Sequence, residues 1–232
     1  MAFSVPGKSL NYWMERFAGL AVDFSGPEKR FDEEYISLLD PDGMLVELFA
    51  DSTADNMNGW SDGTIPREHS IRKFYGATFT LNNSEPTEKL IGEHMGMNLS
   101  SSNLHLKRYT AGNEKSKVRI DIVENPSANR AMQGAGSVHH IAWRTVNDEE
   151  QLNWRKRIEG AGLYPTDVID RNYFHSIYFR EPGGILFEIA TDPPGFLIDE
   201  DVEHLGEDLK LPEWYESKRE QIERILIPLK TV

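Results

Sequence analysis

No cysteine occurs among the 232 residues, which excludes disulfide staples, thiolate metal sites and a cysteine nucleophile. That absence fits a cytoplasmic protein. No apolar run approaches the roughly 20 residues of a membrane span. The N-terminus, MAFSVPGKSL, lacks the basic start and apolar core of a secretory signal. Positive charge is also scarce: 25 Lys and Arg face 38 Asp and Glu, a net charge of −13. Nucleic-acid surfaces need clustered Lys and Arg, so neither nucleic acid nor membrane is expected as a partner. Phosphate and acyl-transfer signatures are missing as well, because no G-x-G-x-x-G, P-loop or G-x-S-x-G pattern is present.

What remains is an ordinary globular composition, 39% hydrophobic and 27% charged, long enough to bury a core. Near the start, Leu10, Trp13, Met14 and Phe17 recur at helical spacing. Gly19 follows where a helix cap is expected. Strand-like runs at 34–39 and 44–50 flank Asp40-Pro41-Asp42-Gly43, a strong turn signal. Residues 52–70 are polar and Gly-rich and read as a linker. A second unit then runs through a strand at 74–81, a helix opening near Ser84 and Pro86, and strands at 104–109 and 118–123. A third begins near Ser137, with a capping-box pattern at Asn147 and Glu150 and strands at 173–179 and 185–190. Residues 193–232 are an acidic linker and a C-terminal helix expected to pack on the body.

The chain repeats itself. Asp40-Pro-Asp-Gly-Met-Leu-Val-Glu47 and Glu181-Pro-Gly-Gly-Ile-Leu-Phe-Glu188 match at an offset of 141, and three helices share one Gly-plus-apolar ending. The repeated unit is a βαβββ module, so the fold class is α+β. Chemistry concentrates in the third module. His139 and His140 open a strand-like run, and Glu188 lies in another, forty-eight residues beyond His140. Imidazole and carboxylate facing each other from one sheet suit iron, manganese or zinc better than calcium or magnesium. A structural histidine and a surface glutamate are the commoner origin of one isolated pair, so the setting must decide.

Modules closing on [DE]-P-x-G-x-x-x-E resemble the vicinal oxygen chelate superfamily, the glyoxalase, bleomycin-resistance and extradiol-dioxygenase group. The string HHIAWR…DRNYFHSIYFREPGGILFEIATDPPGF is similar to bacterial ring-cleaving dioxygenases acting on hydroquinones and catechols. The resemblance implies paired modules forming a cup-shaped mixed sheet around a metal. It also implies Fe(II), with Mn(II) or Zn(II) as alternatives, held by His140 and Glu188, while His139, Arg171 and Tyr178 line the substrate pocket. The partners it implies are a small aromatic substrate and dioxygen, with homo-oligomers allowed. A glyoxalase-like lyase or isomerase and a metal-free binding module stay open. The family carries four modules, and the first supplies another histidine. Here residues 1–51 are expected to be a module without its partner, and residues 71–192 a pair forming the metal domain. In the second unit the position equivalent to the histidine falls near Gly76, which cannot coordinate. His175 or another subunit could supply a third ligand. A weakly held or absent metal is the expectation.

Overall fold

The computed structural model describes every residue except 61–62, 114–115, 129–131 and 228–232. In it, each of three repeats folds as strand, helix and three strands. The first comprises β1 (Ala2–Val5), α1 (Leu10–Gly19), β2 (Phe24–Arg30), β3 (Glu33–Leu39) and β4 (Leu45–Ala50). The second comprises β5 (Lys73–Leu81), α2 (Glu85–Lys89) continuing into a π-helical turn at Leu90–His94, β6 (Asn98–Ser102), β7 (Leu106–Ala111) and β8 (Val118–Glu124). The third comprises β9 (Ile141–Thr145), α3 (Asp148–Gly160), β10 (Ile169–Asp170), β11 (Phe174–Arg180) and β12 (Leu186–Pro194). The chain divides into two compact units, Met1–Ile141 with Arg180–Leu186, and Ala142–Phe179 with Phe187–Val232.

Local chemistry explains most of these elements. The stripe on α1 buries Leu10, Trp13 and Phe17 against Val5, Ile36 and Leu48. After α1 it is Ala21, not Gly19, that takes the left-handed conformation, at φ +53°. Gly96 and Gly162 do take it after the other two helices, at φ +75° and +82°. At the start of α3 the Asn147 side chain accepts from Glu150 N at 2.9 Å. Glu150 in turn accepts from Thr145 Oγ1 at 2.6 Å and Val146 N at 3.0 Å. Those two donors hold its carboxyl below the usual range.

Strands β2, β6 and β10 carry no apolar alternation; β2 reads FSGPEKR and β6 NLSSS. They form because neighbouring strands complete their ladders. Gly26 permits the approach in β2, since a Cβ there would lie 2.9 Å from Tyr35 O. The segment expected as a linker contains short helical turns at Ser52–Ala54 and Arg67–His69. His69 is a packing residue, stacked on Tyr12 at 4.2 Å.

The strand order corrects one expectation. β2-β3-β4-β1-β5-β8-β7-β6 form one eight-stranded sheet, and β10-β11-β12-β9 form a four-stranded one. The first module is therefore not unpaired. β1 runs parallel to β4 and antiparallel to β5, and β5 runs parallel to β8. Modules one and two share a sheet through their first strands, while the strands of module three form a sheet of their own. Phe3 opposite Phe74 anchors the seam, their rings edge-on at 6.1 Å. On its other side, β5 can approach β8 because Gly76 has no Cβ, which would meet Arg119 O at 2.5 Å. Which modules share a sheet depends on the pairing of strand edges, to which hydrophobic periodicity is blind.

The C-terminal helix is two short ones, α4 (Glu213–Glu216) and α5 (Arg219–Ile225). Trp214, Tyr215, Ile225 and Leu226 are exposed instead of packed. No helix among the described residues is long and apolar enough to cross a membrane.

Candidate metal centre

The two repeated turns agree atom by atom. Gly43 N donates to Asp40 O and Gly184 N to Glu181 O, both at 2.9 Å. The side chain of Asp40 accepts from Met44 N, and that of Glu181 from Ile185 N, each at 2.8 Å. Gly43 and Gly184 both require positive φ, +86° and +93°. The turns deliver Glu47 and Glu188 to the third positions of β4 and β12. Both glutamates are 3% exposed. Their surroundings differ.

Two hydroxyls donate to Glu188. Ser176 Oγ and Tyr178 OH both donate to Oε1, the tyrosine at 2.7 Å. Two donors on one oxygen restrict rotation of the carboxylate. Burial, then the bond to Glu188, raises the Tyr178 pKa above its ordinary value. The tyrosine thus remains a protonated donor at neutral pH. The Arg171 guanidinium lies 5.2 Å from the Tyr178 ring centre, a cation–π contact at an exposed position. Arg171, Tyr178 and Glu188 are therefore neighbours. Ser176 was missed by reading the sequence. The period-two alternation of FHSIYF carries it, since Ser176 and Tyr178 share a face of β11.

Alternation also disposes of His175 as a ligand beside Glu188. It points to the other face of β11, where its Nδ1 lies 2.6 Å from Asp148 Oδ1 of α3. Ile177 and Phe179 are buried on that face, Phe179 against Phe187 at 5.6 Å. Here side chains replace part of the ladder between β11 and β12. Gln151 Nε2 donates to His175 O at 2.7 Å and Ile189 O at 2.8 Å. His175 N donates to Thr191 Oγ1 at 3.0 Å. The backbone flanking Ser176 and Glu188 is thus braced from the helix side.

His139 and His140 precede β9 instead of lying within it. Strand alternation, which would put adjacent side chains on opposite faces, starts only at Ile141. Their Nδ1 atoms are 2.8 Å apart. One ring must donate and the other accept, so the donor ring carries its lone pair on Nε2. With His140 as donor, its Nε2 has the form a metal ligand needs, and His139 fixes that tautomer.

Glu47 meets a different partner. Arg30 Nη1 donates to Glu47 Oε2 at 3.0 Å, and Nη2 donates to Oε1. Arg30 also reaches Asp121 Oδ2 at 3.2 Å and lies over the Tyr35 ring at 4.6 Å. Asp121 is further held by Arg108 Nε at 2.6 Å and Nη2 at 2.8 Å. The eight-stranded sheet therefore carries a charge-neutralised carboxylate where the third module has Glu188. The signal for it was in the sequence, because the offset that relates Glu47 to Glu188 also relates Arg30 to Arg171.

In kind, an imidazole and a carboxylate oriented by neutral donors fit a divalent transition metal. In number they stop short, since among the described residues no three His, Cys, Asp or Glu gather closely enough to share an ion.

Residues 90–189 match the model of the glyoxalase/bleomycin resistance protein/dioxygenase superfamily. MhqO of Bacillus subtilis (strain 168), named as a ring-cleaving dioxygenase, is 40% identical over 227 residues, 98% of this chain and 72% of that relative. The chlorohydroquinone/hydroquinone 1,2-dioxygenase of Sphingobium indicum is 30% identical over 232 residues, 97% of this chain and 71% of that relative. A crystal structure of a dioxygenase from Bacillus subtilis superposes with a TM-score of 0.90 at 38% identity, covering 99% of this chain and 73% of the other.

Proposed function

The chain belongs to the glyoxalase/bleomycin resistance protein/dioxygenase superfamily, and from that premise we propose that it acts as an Fe(II)-dependent, extradiol-type ring-cleaving dioxygenase. Its substrates in this reading are hydroquinone- or catechol-like aromatics and dioxygen. The observation that carries the reading is Glu188, a buried carboxylate held by hydroxyls with a guanidinium one ring away. His140 and Glu188 are the residues assigned to the metal. A ferrous ion bound there would lower the pKa of a substrate hydroxyl and bring the two reactants together.

The chain's own residues have separate tasks. Ser176 and Tyr178 fix the orientation of Glu188. Tyr178, kept protonated by burial, can donate to an oxygen that gains charge as the ring opens. Arg171 supplies positive charge beside a phenolate. His139, accepting from His140 Nδ1 in the ligating tautomer, orients that ring and presents its own Nε2–H to a substrate oxygen.

Oxygen uptake with a substituted hydroquinone tests the reading, with the protein first depleted of metal and then supplied with Fe(II). Consumption of dioxygen with loss of the aromatic absorbance is expected, and Glu188→Gln and His140→Ala should abolish it. Conversion of substrate with no dioxygen consumed would point to a lyase or isomerase instead.

A further inference from the structure

We propose that the eight-stranded sheet holds a second ligand site, for a small organic carboxylate, and that Glu33 occupies it when no ligand is bound. The site does not depend on the metal reading of Glu188. The observation that points to it is Arg119 on β8, a residue 5% exposed. Its Nη1 is buried and, among the described residues, has no hydrogen-bond partner. The guanidinium lies over the Tyr75 ring at 4.1 Å, and its ion-pair partner is Glu33, with Nε 3.8 Å from Oε1. That separation is too long for a hydrogen bond. A buried arginine with unspent donors is unusual in a folded chain.

The other carboxylates in this network are already committed. Arg30 closes on Glu47, and Arg30 and Arg108 both reach Asp121. Glu33 is held more loosely. It opens β3 just past the β2–β3 turn, where Phe31 has φ +55°, and β2 is the edge of the sheet. Its side chain is 33% exposed, against 6% for those of Arg108 and Arg119. Its Oε2 accepts from Tyr75 OH and from Arg108 Nη1, while Oε1 falls short of Arg119. Burial pushes the Tyr75 hydroxyl well above its ordinary pKa, so it stays a donor. Three buried groups therefore converge on one half-exposed carboxylate, and its tether to the chain leaves the third unsatisfied. A free carboxylate has no tether. One planar group can take Tyr75 and Arg108 on one oxygen and Arg119 on the other. Exchanging it for Glu33 replaces one negative charge with another, so the network stays balanced.

NMR of the arginine side chains tests the site, in the full chain titrated with sodium acetate at constant ionic strength. The protein is depleted of metal so that acetate cannot ligate an ion. Acetate is the probe because Glu33→Ala removes a group of that size. In Glu33→Ala the Arg119 Nε–H resonance should move saturably. In the wild type the same shift should need roughly 10- to 100-fold more acetate, because a site open in about 1–10% of molecules weakens apparent binding by that factor. Glu33→Gln keeps the volume but not the charge and should fall between the two. It decides the question if Glu33→Ala does not fold. Arg119→Gln in the Glu33→Ala background, followed at Arg108 Nε–H, should abolish saturation. Arg119→Lys, which keeps the charge without the fork, replaces it where Gln costs the fold and should weaken acetate. The proposal is overturned by no saturable shift in the Glu33 variants, by equal half-saturation in variant and wild type, or by saturation indifferent to the Arg119 substitutions. A wild type that stays silent at about 100 times the variant's half-saturating acetate makes Glu33 a fixed structural partner and overturns it as well.

Discussion

Glu47 and Glu188 end the same turn, occupy the same strand position and are equally buried, yet one meets an arginine and the other two hydroxyls. The first arrangement is inert. A carboxylate closed on a guanidinium has its charge balanced and a donor on each oxygen, and Asp121 and Arg108 extend the same network across the eight-stranded sheet. In the second, two hydroxyls donate to one buried carboxylate oxygen. One module thus builds an ion pair where its copy builds the proposed ligand site, and the difference traces to a few side chains on a common backbone. The partition also predicts where the molecule is sensitive to mutation.

The largest effect should come from Arg30→Ala. It leaves Glu47 without its counter-charge in a buried site, which costs about 3–5 kcal/mol. Arg171→Ala, at an exposed position, should lie within about 0.5 kcal/mol of wild type. Urea unfolding of both would check this, and similar losses would show that the two arginines are not so differently placed. Next in size is Ser176→Ala, which removes one donor from the buried Glu188 and should cost about 1–3 kcal/mol. Ser176→Thr keeps the hydroxyl and should recover part of that loss.

The comparison also shows what a single sequence reveals. The helices α1 and α3 and the repeated turn were legible because they rest on local signals: the stripe of Leu10, Trp13 and Phe17, the caps at Asn147 and Gly162, and the paired turn residues. Strands β2 and β6 were not, because FSGPEKR and NLSSS owe their conformation to neighbours. The sharing of one sheet by modules one and two was hidden for a similar reason, being a matter of how β1 pairs with β5. At the candidate site the resemblance supplied His139, His140, Arg171, Tyr178 and Glu188. Ser176, Gln151 and Arg30 went unnoticed, since a serine, a glutamine and an arginine carry no motif. They gain meaning only from what they touch.

The turns offer a smaller contrast. Glu181 is buried and accepts from Thr87 Oγ1 at 2.5 Å as well as from Ile185 N. Asp40 is only partly buried and accepts from the amides of Asp42 and Met44. Glu181→Ala should therefore cost about 1–3 kcal/mol, and Asp40→Ala about 1 kcal/mol, the usual value for a lost side-chain acceptor of backbone amides. Calorimetric melting of the two variants would rank them. A reversed order would mean that the Thr87 contact contributes nothing.

A small net change should come even from the most drastic edit of the ion pair, Arg30→Met combined with Glu47→Leu. Removing one partner strands a buried charge, but removing both at once replaces an ion pair with apolar volume, which is often neutral or stabilising. The setting favours this outcome. Arg30 lies over Tyr35 at 4.6 Å and Phe49 at 5.2 Å, surfaces on which a methionine can pack. Asp121, the other carboxylate that Arg30 touches, keeps its two bonds from Arg108. The double variant should therefore unfold within about 1 kcal/mol of wild type, far from Arg30→Ala alone. A double variant as unstable as the single one would show that the pair itself, and not merely its balance, holds the sheet together. The first module would then need its arginine for folding, and the copy that lacks the Arg–Glu contact must be stabilised at this point by something else, for which the Gln151 brace to His175 O and Ile189 O is the available candidate.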